Sequence, residues 1–464
     1  MNTRAYHRRK PLPRHPHHTR STLQRQAPLP LTDLWATEVL PHLPPDLEAQ
    51  ARILGAFQRR RAVACATDLL RAVLAAVLVA TSLQHLGAWA LLSGVADISA
   101  PAWQKRLIRT RPWLAWLLAE LLAPPLPPLR LVPQAGGNIL LVDATCLRQL
   151  GGTGDDWRLH TAYNFTTGRL AQVTLTDQSG GEHLGYYRLQ PGDIVVADNG
   201  YGYRRSVATV CKQQAHVVIR VRPATFPFEQ ADGQTVDVVA RLRKRGPHVR
   251  AWHGWCTDAD GERYRVRLIA AKLPPAEAAA ARRRARQNAR DHGRSVQPQT
   301  LLVAGWVLLI TTLPLARWDA PAVLRLYRVR WQVELVFKRM KSILRLGQLR
   351  GHTRASIEAQ VLALLVAWAL QTEEAAWVRQ QMARLGQEAC GIVSSWRLTV
   401  LSIDVVRQQV RGGWGQARLR SCLAQLQRFL TSRPRPDRQH QETAVRTWLE
   451  RRPPPNLLVV EEAV

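Results

Sequence analysis

The sequence predicts an α/β class, in which a helical N-terminal region precedes a strand-rich core and a helical, basic C-terminal region. Three observations lead there. Apolar residues recur at helical spacing through Leu47–Phe57, Leu69–Val79 and Trp113–Leu122, with no alternating strand pattern anywhere in residues 32–122. The texture changes at Asn138, where short apolar runs separated by turn residues begin. From Ala320 to Leu346 the helical period returns, and it holds through most of the remainder.

Size and charge bound the function. The chain has 464 residues, enough for two or three domains, and carries 65 Lys plus Arg against 34 Asp plus Glu, a formal net charge of +31. Of the cations, 58 are Arg and 7 Lys; base composition of the genome explains that ratio but not the excess of charge. A polyanion partner follows, nucleic acid before membrane. Six cysteines (Cys65, Cys146, Cys211, Cys256, Cys390, Cys422) form no C-x-x-C pair, which argues against a zinc site or a disulfide framework and fits a reducing cytoplasm. The apolar run Ala72–Leu83 is too short for a bilayer, Leu301–Ala316 is broken by Gly305 and Pro314, and the first 30 residues lack a signal core. A cytoplasmic protein without membrane contact is expected.

Taken in order, residues 1–31 are rich in Arg, His and Pro and read as a disordered basic arm; a solvated tail explains His15, His17 and His18 better than a metal site. Residues 32–130 read as a helical DNA-binding domain. Within it a helix ends near Gly94 and Ser99 caps a second, which displays Gln104, Lys105, Arg106 and Arg109 in a helix-turn-helix manner; a plain helical hairpin with a basic solvent face is the alternative. Pro124–Pro133 marks a linker.

Residues 136–371 form the predicted catalytic core. NILLVDAT is a first strand, WRLHTAYNFTTG and RLAQVTLTD a hairpin about Thr167-Gly168, Glu182–Leu189 a short helix, and GDIVVADNGY a fourth strand ending at a turn. A helix over Arg204–Gln214 leads to the strand HVVIRVR. This order is that of a ribonuclease H-like domain. Residues 224–300 interrupt it with strand-like pieces, TVDVVARLR and RYRVRLIAA, and the helix EAAAARRRARQNARDHGR, whose arginines suit an arm tracking phosphates as well as a solvated face. LLVAGWVLLITTLP resumes as a buried strand. Ala320–Leu346 is a long helix, Ile357–Gln371 a core helix, and 372–464 a helical region with a Pro-rich, acidic end.

On the Ala320–Leu346 helix, Tyr327, Arg330, Glu334, Lys338, Lys341 and Arg345 fall in one sector about 80° wide, opposite Val329, Val333, Val336, Met340, Ile343 and Leu344. One carboxylate ringed by cations describes a solvent face, and equally a metal site beside a phosphate. Asp143 ends or nearly ends the first core strand and Asp198 follows the fourth. Those strands neighbour each other in a ribonuclease H-like sheet, so the two carboxylates can meet at one edge, with Glu334 brought across it. Three carboxylates suit two Mg²⁺ ions, with Mn²⁺ as a substitute, bridging a phosphodiester. Asp155, Asp156, Asp177 and Asp193 are expected to be solvated surface acids.

The spacing Y-x2-R-x3-E-x6-K, filled by Tyr327, Arg330, Glu334 and Lys341, resembles the insertion-sequence-four family of bacterial DDE transposases. VDAT at Asp143 and ADNGY at Asp198 are similar to that family's first two acidic motifs, and the resemblance covers roughly 138–370. It implies that Asp143, Asp198 and Glu334 are the catalytic, metal-binding triad and that Tyr327, Arg330 and Lys341 hold transposon-end phosphates. It also implies binding to terminal inverted repeats and target DNA as a homodimer, nicking, and joining of 3′-hydroxyl ends, with a hairpinned end as one route. Asn199 departs from the family, which more often has Arg there. Trp306 is a candidate to stack on a displaced base, or a core residue. Lys338, Lys105 and Arg106 complete the candidate DNA contacts. Two rivals stay open: a nuclease of the same fold, and a silent repressor derived from a transposase.

Overall fold

The computed structural model describes residues 33–60, 62–123, 137–151, 157–384, 392–432 and 445. The predicted basic arm with its histidines, the Pro124–Pro133 linker, Asp155, Asp156, Cys390 and the Pro-rich acidic end lie outside the described residues.

The N-terminal region is helical as expected. A π-helical turn at Trp35–Val39 precedes α1 (Leu47–Ile53), α2 (Ala66–Leu78), α3 (Leu83–Leu92), α4 (Ala100–Arg109) and α5 (Arg111–Leu122). Gly94 ends the α3 segment at φ +67°, a left-handed conformation that glycine adopts without strain. Ser82 caps α3 through His85 N–H at 3.1 Å, whereas Ser99 sits at the start of α4 without a side-chain cap bond, contrary to expectation.

Eight strands form one sheet in the order β3-β2-β1-β4-β5-β8-β7-β6. Strands β1 (Ile139–Leu147), β2 (Trp157–Asn164) and β3 (Arg169–Asp177) form an antiparallel meander, and β4 (Ile194–Ala197) lies parallel to β1. After α6 (Arg204–Cys211), β5 (His216–Arg220) lies parallel to β4. This is the predicted ribonuclease H-like arrangement. The insertion and the strand that leads out of it extend the same sheet: α7 (Val238–Arg243), β6 (Val249–Thr257), β7 (Arg263–Lys272), α8 (Pro275–Asp291), α9 (Pro298–Val303) and then β8 (Trp306–Thr311), with β8 antiparallel to β5 and β7.

Several sequence expectations need correction here. TVDVVARLR is not a strand: Asp237 caps a helix by accepting from Ala240 N–H at 2.9 Å, and α7 follows. The sequence reading missed β6, which pairs along its whole length with β7. The run Leu301–Pro314 begins as the end of a helix; α9 ends at Val303 and the strand begins only at Trp306, after the turn at Gly305. Glu182–Leu189 holds only a 3₁₀ turn at Leu184–Tyr186. The long helix is two, α10 (Ala320–Arg328) and α11 (Trp331–Ile343), because the backbone tightens to i→i−3 hydrogen bonds between Leu326 and Val333.

α12 (Arg354–Arg384) runs through the core. It is long and apolar enough to cross a membrane by length and composition, yet 67% of its most apolar window is buried inside the fold. The C-terminal region adds β9 (Ile392–Val393), α13 (Ser395–Arg411), α14 (Gln416–Ser421), α15 (Leu423–Leu430) and β10 (Thr431–Ser432), the two short strands pairing antiparallel.

Side-chain alternation sets the layers. Ile139, Leu141, Ile194, Val196, Val218 and Leu309 face a core shared with α10 to α12 and with the N-terminal helices, where Leu69, Leu70, Trp103 and Trp113 are buried. The N-terminal helices and the sheet therefore share one core. Leu140, Val142, Val195, Ala197, Val217 and Ile219 face the other side, against Val207 of α6 and the insertion's Phe226 and Phe228.

Candidate active site

The register brings the two aspartates level. Leu141 pairs with Val196, so Asp143, two residues on, reaches the height of Asp198, just past the end of β4. Both continue the alternation that turns Leu141 and Val196 towards α11. Asp198 accepts Gly200 N–H at 2.8 Å and so caps the 3₁₀ turn Asn199–Tyr201. Asp143 accepts its own neighbour's amide, Ala144 N–H, at 2.8 Å.

The break between α10 and α11 supplies the third group. It sets Tyr327, at the end of α10, beside Arg330, which opens α11, and the two side chains are hydrogen-bonded. The Arg330 guanidinium donates to Asp143 Oδ2 at 3.3 Å and to Glu334 Oε1. Arg330 and Asp143 are mostly buried, at 16% and 14% side-chain exposure, while Glu334 is open at 53%. Arg330 is thus the hub of the site. Burial pulls its pKa down, but Tyr327, Glu334 and Asp143 together raise it above the ordinary arginine value. Tyr327 is pushed up by burial, against Arg330 and Arg220, which favour its ionised form.

Burial raises the Asp143 pKa to about 7 against Arg330 and the Ala144 amide, with Asp198 and Glu182 adding repulsion. Glu182 was not foreseen. It lies in the bend before β4, with its carboxylate packed over the turn after Asp198: a Cβ added at Gly200 would overlap Glu182 Oε2 and meet Asp198 Oδ1 at 3.2 Å. Burial raises the Glu182 pKa, then the charge of Asp198 raises it further. Nothing in its sequence context, GGEHLGYY, marks a site residue; only the folding of that bend against β4 does.

Among the described residues, no three acidic, His or Cys side chains converge as a metal shell, because Arg330 stands between Asp143 and Glu334. The donor chemistry nonetheless suits a hard divalent cation: the acidic groups are all carboxylates with oxygen donors, and burial, ahead of repulsion by Asp198 and Glu182, raises the Asp143 pKa to about 7.

The other predicted residues fall into three groups. Lys338 is exposed and Lys341 half-buried on α11, on the side of Glu334, whereas Arg345 has left the stripe because the helix ends at Ile343 and its own φ is +57°. On α4, Lys105 is exposed and Arg106 half-buried. Trp306 is 5% exposed in the second core, with Arg250 stacked 5.0 Å over its ring; the core alternative is the one observed, and no face is open to a base. Asn199 has a buried Oδ1 without a hydrogen-bond partner. Asp193, expected at the surface, is 2% exposed and accepts Asn138 N–H at 2.8 Å and Gln190 N–H at 2.9 Å, tying the start of β1 to the turn before β4.

A family model described as the transposase DDE domain matches residues 134–370. The chain is 34% identical over 346 residues to the putative transposase InsL for insertion sequence element IS186A of Escherichia coli, covering 72% of this chain and 92% of that protein. It is also 34% identical over 347 residues, with the same coverage, to the transposase for insertion sequence element IS421 of Escherichia coli.

Proposed function

Since the chain belongs to the insertion-sequence-four family of DDE transposases, enzymes that act on DNA with divalent metal ions, we propose that Asp143, Asp198 and Glu334 are its catalytic, metal-binding triad. The observation that carries this reading is the register that levels Asp143 with Asp198, together with the Arg330 fork that joins Asp143 to Glu334. Two Mg²⁺ ions, with Mn²⁺ as a substitute, would bind these carboxylates and supply an activated water or 3′-hydroxyl and a neutralised leaving oxygen.

The chain's own groups do the rest. Arg330 orients Asp143 and Glu334, and its Glu334 arm lies at the exposed side, where a phosphate can compete for it. Tyr327 fixes the Arg330 fork from behind. Lys338 and Lys341 hold backbone phosphates of the terminal inverted repeat beside Glu334. Asp143, whose pKa burial raises to about 7, would hold the cation as a carboxylate, so metal binding there would be coupled to loss of its proton. Lys105 and Arg106 on α4 contact the repeat at a second place. The enzyme nicks at the element's ends, excises it and joins its 3′-hydroxyl ends to target DNA, acting as a homodimer in the bacterial cytoplasm.

The test uses the full chain and a duplex carrying the inverted repeat that flanks the gene. Wild type should cut at the repeat's edge with Mg²⁺ and join the new 3′-hydroxyl to a second duplex, and Asp143→Asn should bind without cutting. Cutting without joining would favour a nuclease; binding without cutting in either metal would leave a silent DNA binder.

A further inference from the structure

We propose that the insertion carries a second DNA-gripping surface, a basic rim made by α8 and the loop after α7, which holds the backbone of the duplex being cut. Sheet register fixes where the insertion's segments leave the sheet. Asp198 follows Ala197, which pairs with Ile219, so Arg220 comes next; Arg220 pairs with Leu309, Leu309 with Ile269 and Ile269 with Ala251. One row therefore runs from the catalytic edge of β4 across the insertion. Beyond that row on the catalytic side lie the end of β7 at Lys272, the start of β8 at Trp306 and the start of β6 at Val249. The α8–α9 segment joins the first two, and the α7 loop feeds the third. Both leave the sheet at the edge that holds Asp143 and Asp198. The strand β7 is three places from β4, about 14 Å.

Charge is segregated along the insertion. The opposite end of the β6–β7 hairpin holds Asp258, Asp260 and Glu262, gathered on Lys212 at 3.1 to 3.7 Å. The catalytic end carries Arg243 at the end of α7, Lys244 and Arg245 on the loop that follows, and Arg283, Arg286 and Arg290 on α8, all exposed. The three α8 arginines stand at i, i+3 and i+7, one face of a helix. Among the described residues none of these six makes an ion pair or a side-chain hydrogen bond. A helix that is merely solvated would be expected to mix signs along its face; here the acids are Glu277 in the first turn, where the dipole favours it, and Asp291, bonded to Gln287.

Both elements are also anchored. Arg282 turns inward and donates to Leu301 O at 3.1 Å, tying α8 to α9, while Ala278 is the single fully buried residue of the helix. Arg250 donates to Pro247 O at 3.1 Å and to Arg241 O and Lys244 O at 2.8 Å each, and its guanidinium rests on Trp306. The loop that carries Arg243, Lys244 and Arg245 is thereby fixed from beneath. Held cations without protein partners, on the catalytic edge, fit the phosphates of a duplex whose strand enters that edge.

The test measures duplex binding by the full chain without metal, against salt concentration, on DNA spanning the element's end. A wrong assignment of the carboxylate triad would leave this readout untouched. Arg283→Ala/Arg286→Ala/Arg290→Ala and Arg243→Ala/Lys244→Ala/Arg245→Ala should each lower the slope of log affinity on log salt by about 2 to 3, at roughly 0.9 per phosphate contact. The loss should be the same on unrelated sequences, and Lys at the three α8 positions should restore the slope. An unchanged slope would overturn the proposal and leave a solvated helix. A photo-crosslinker at Gln287 should label DNA at the element's boundary; labelling confined to a captured second duplex would overturn the assignment to the DNA being cut.

Discussion

Arg330 and Arg250 stand on opposite sides of the same sheet edge, and their surroundings differ in kind. Arg330 is wedged among Asp143, Glu334 and Tyr327, so its charge is answered by carboxylates, one of which is exposed and exchangeable. Arg250 is answered by three backbone carbonyls and the face of Trp306, none of which carries charge or can be exchanged without unfolding the loop. The parallel half of the sheet concentrates acids around one cation. The antiparallel half, added by the insertion, fixes one cation so that others can be displayed. Polar groups at one edge thus serve chemistry on one side and scaffolding on the other, and the partner atoms decide which.

The comparison breaks most sharply at the carboxylates. Asp198→Asn should lower cleavage about 1,000-fold or more with DNA affinity retained, measured on the same repeat duplex. Equal activity would move the centre elsewhere. On the other side, Trp306→Ala should cost about 3 kcal/mol of stability and loosen the 243–249 loop in hydrogen exchange, as expected for a large buried side chain. If it instead left melting unchanged and blocked only excision, the ring would be acting on DNA and its scaffold role would be wrong.

Arg330→Gln keeps bulk but removes the charge that faces two acids. Cleavage should fall roughly 100-fold, and the Asp143 pKa should rise further, read as a shift of the pH–rate profile to higher pH. The smallest effect concerns stability. The Asp143 pKa is about 7 in the fold against 3.8 when unfolded, so between these values the folded chain holds the extra proton. Stability without metal should therefore fall as pH rises from about 4 to 7. Asp143→Asn should be nearly neutral at pH 4 and stabilising by about 1–3 kcal/mol at pH 8, checked by denaturant titration.

Much of this was legible from residue order alone. The helical period from Val329 to Leu344 identified a buried face, and those six residues are buried or nearly so. The apolar runs before Asp143 and Asp198 were enough to bring both acids level, because a two-residue period with short connections leaves few topologies. Asp143, however, lies in the middle of β1, which runs on to Leu147 beyond the end of β4, and not at the strand's end. TVDVVARLR misled because β-branched residues favour strands locally, while the Asp237 cap and packing against α9 prevail in the fold. Glu182 and Arg250 could not be found in that way. Glu182 acts on Asp198, just past the end of β4, and Arg250 rests on Trp306, at the start of β8; only the fold brings these pairs together.

Sequence by itself determined most of the elements, the order of the β1–β5 core and the motif spacing that carries the family resemblance, because these depend on local propensity or on fixed spacing along one helix or strand. Tertiary structure alone decided that Arg330 stands between two carboxylates, that Trp306 supports a loop and that the insertion's cations gather on the catalytic edge. Those outcomes depend on strand register and on a single tightened turn at residue 330, and both are set by packing among segments distant in the chain.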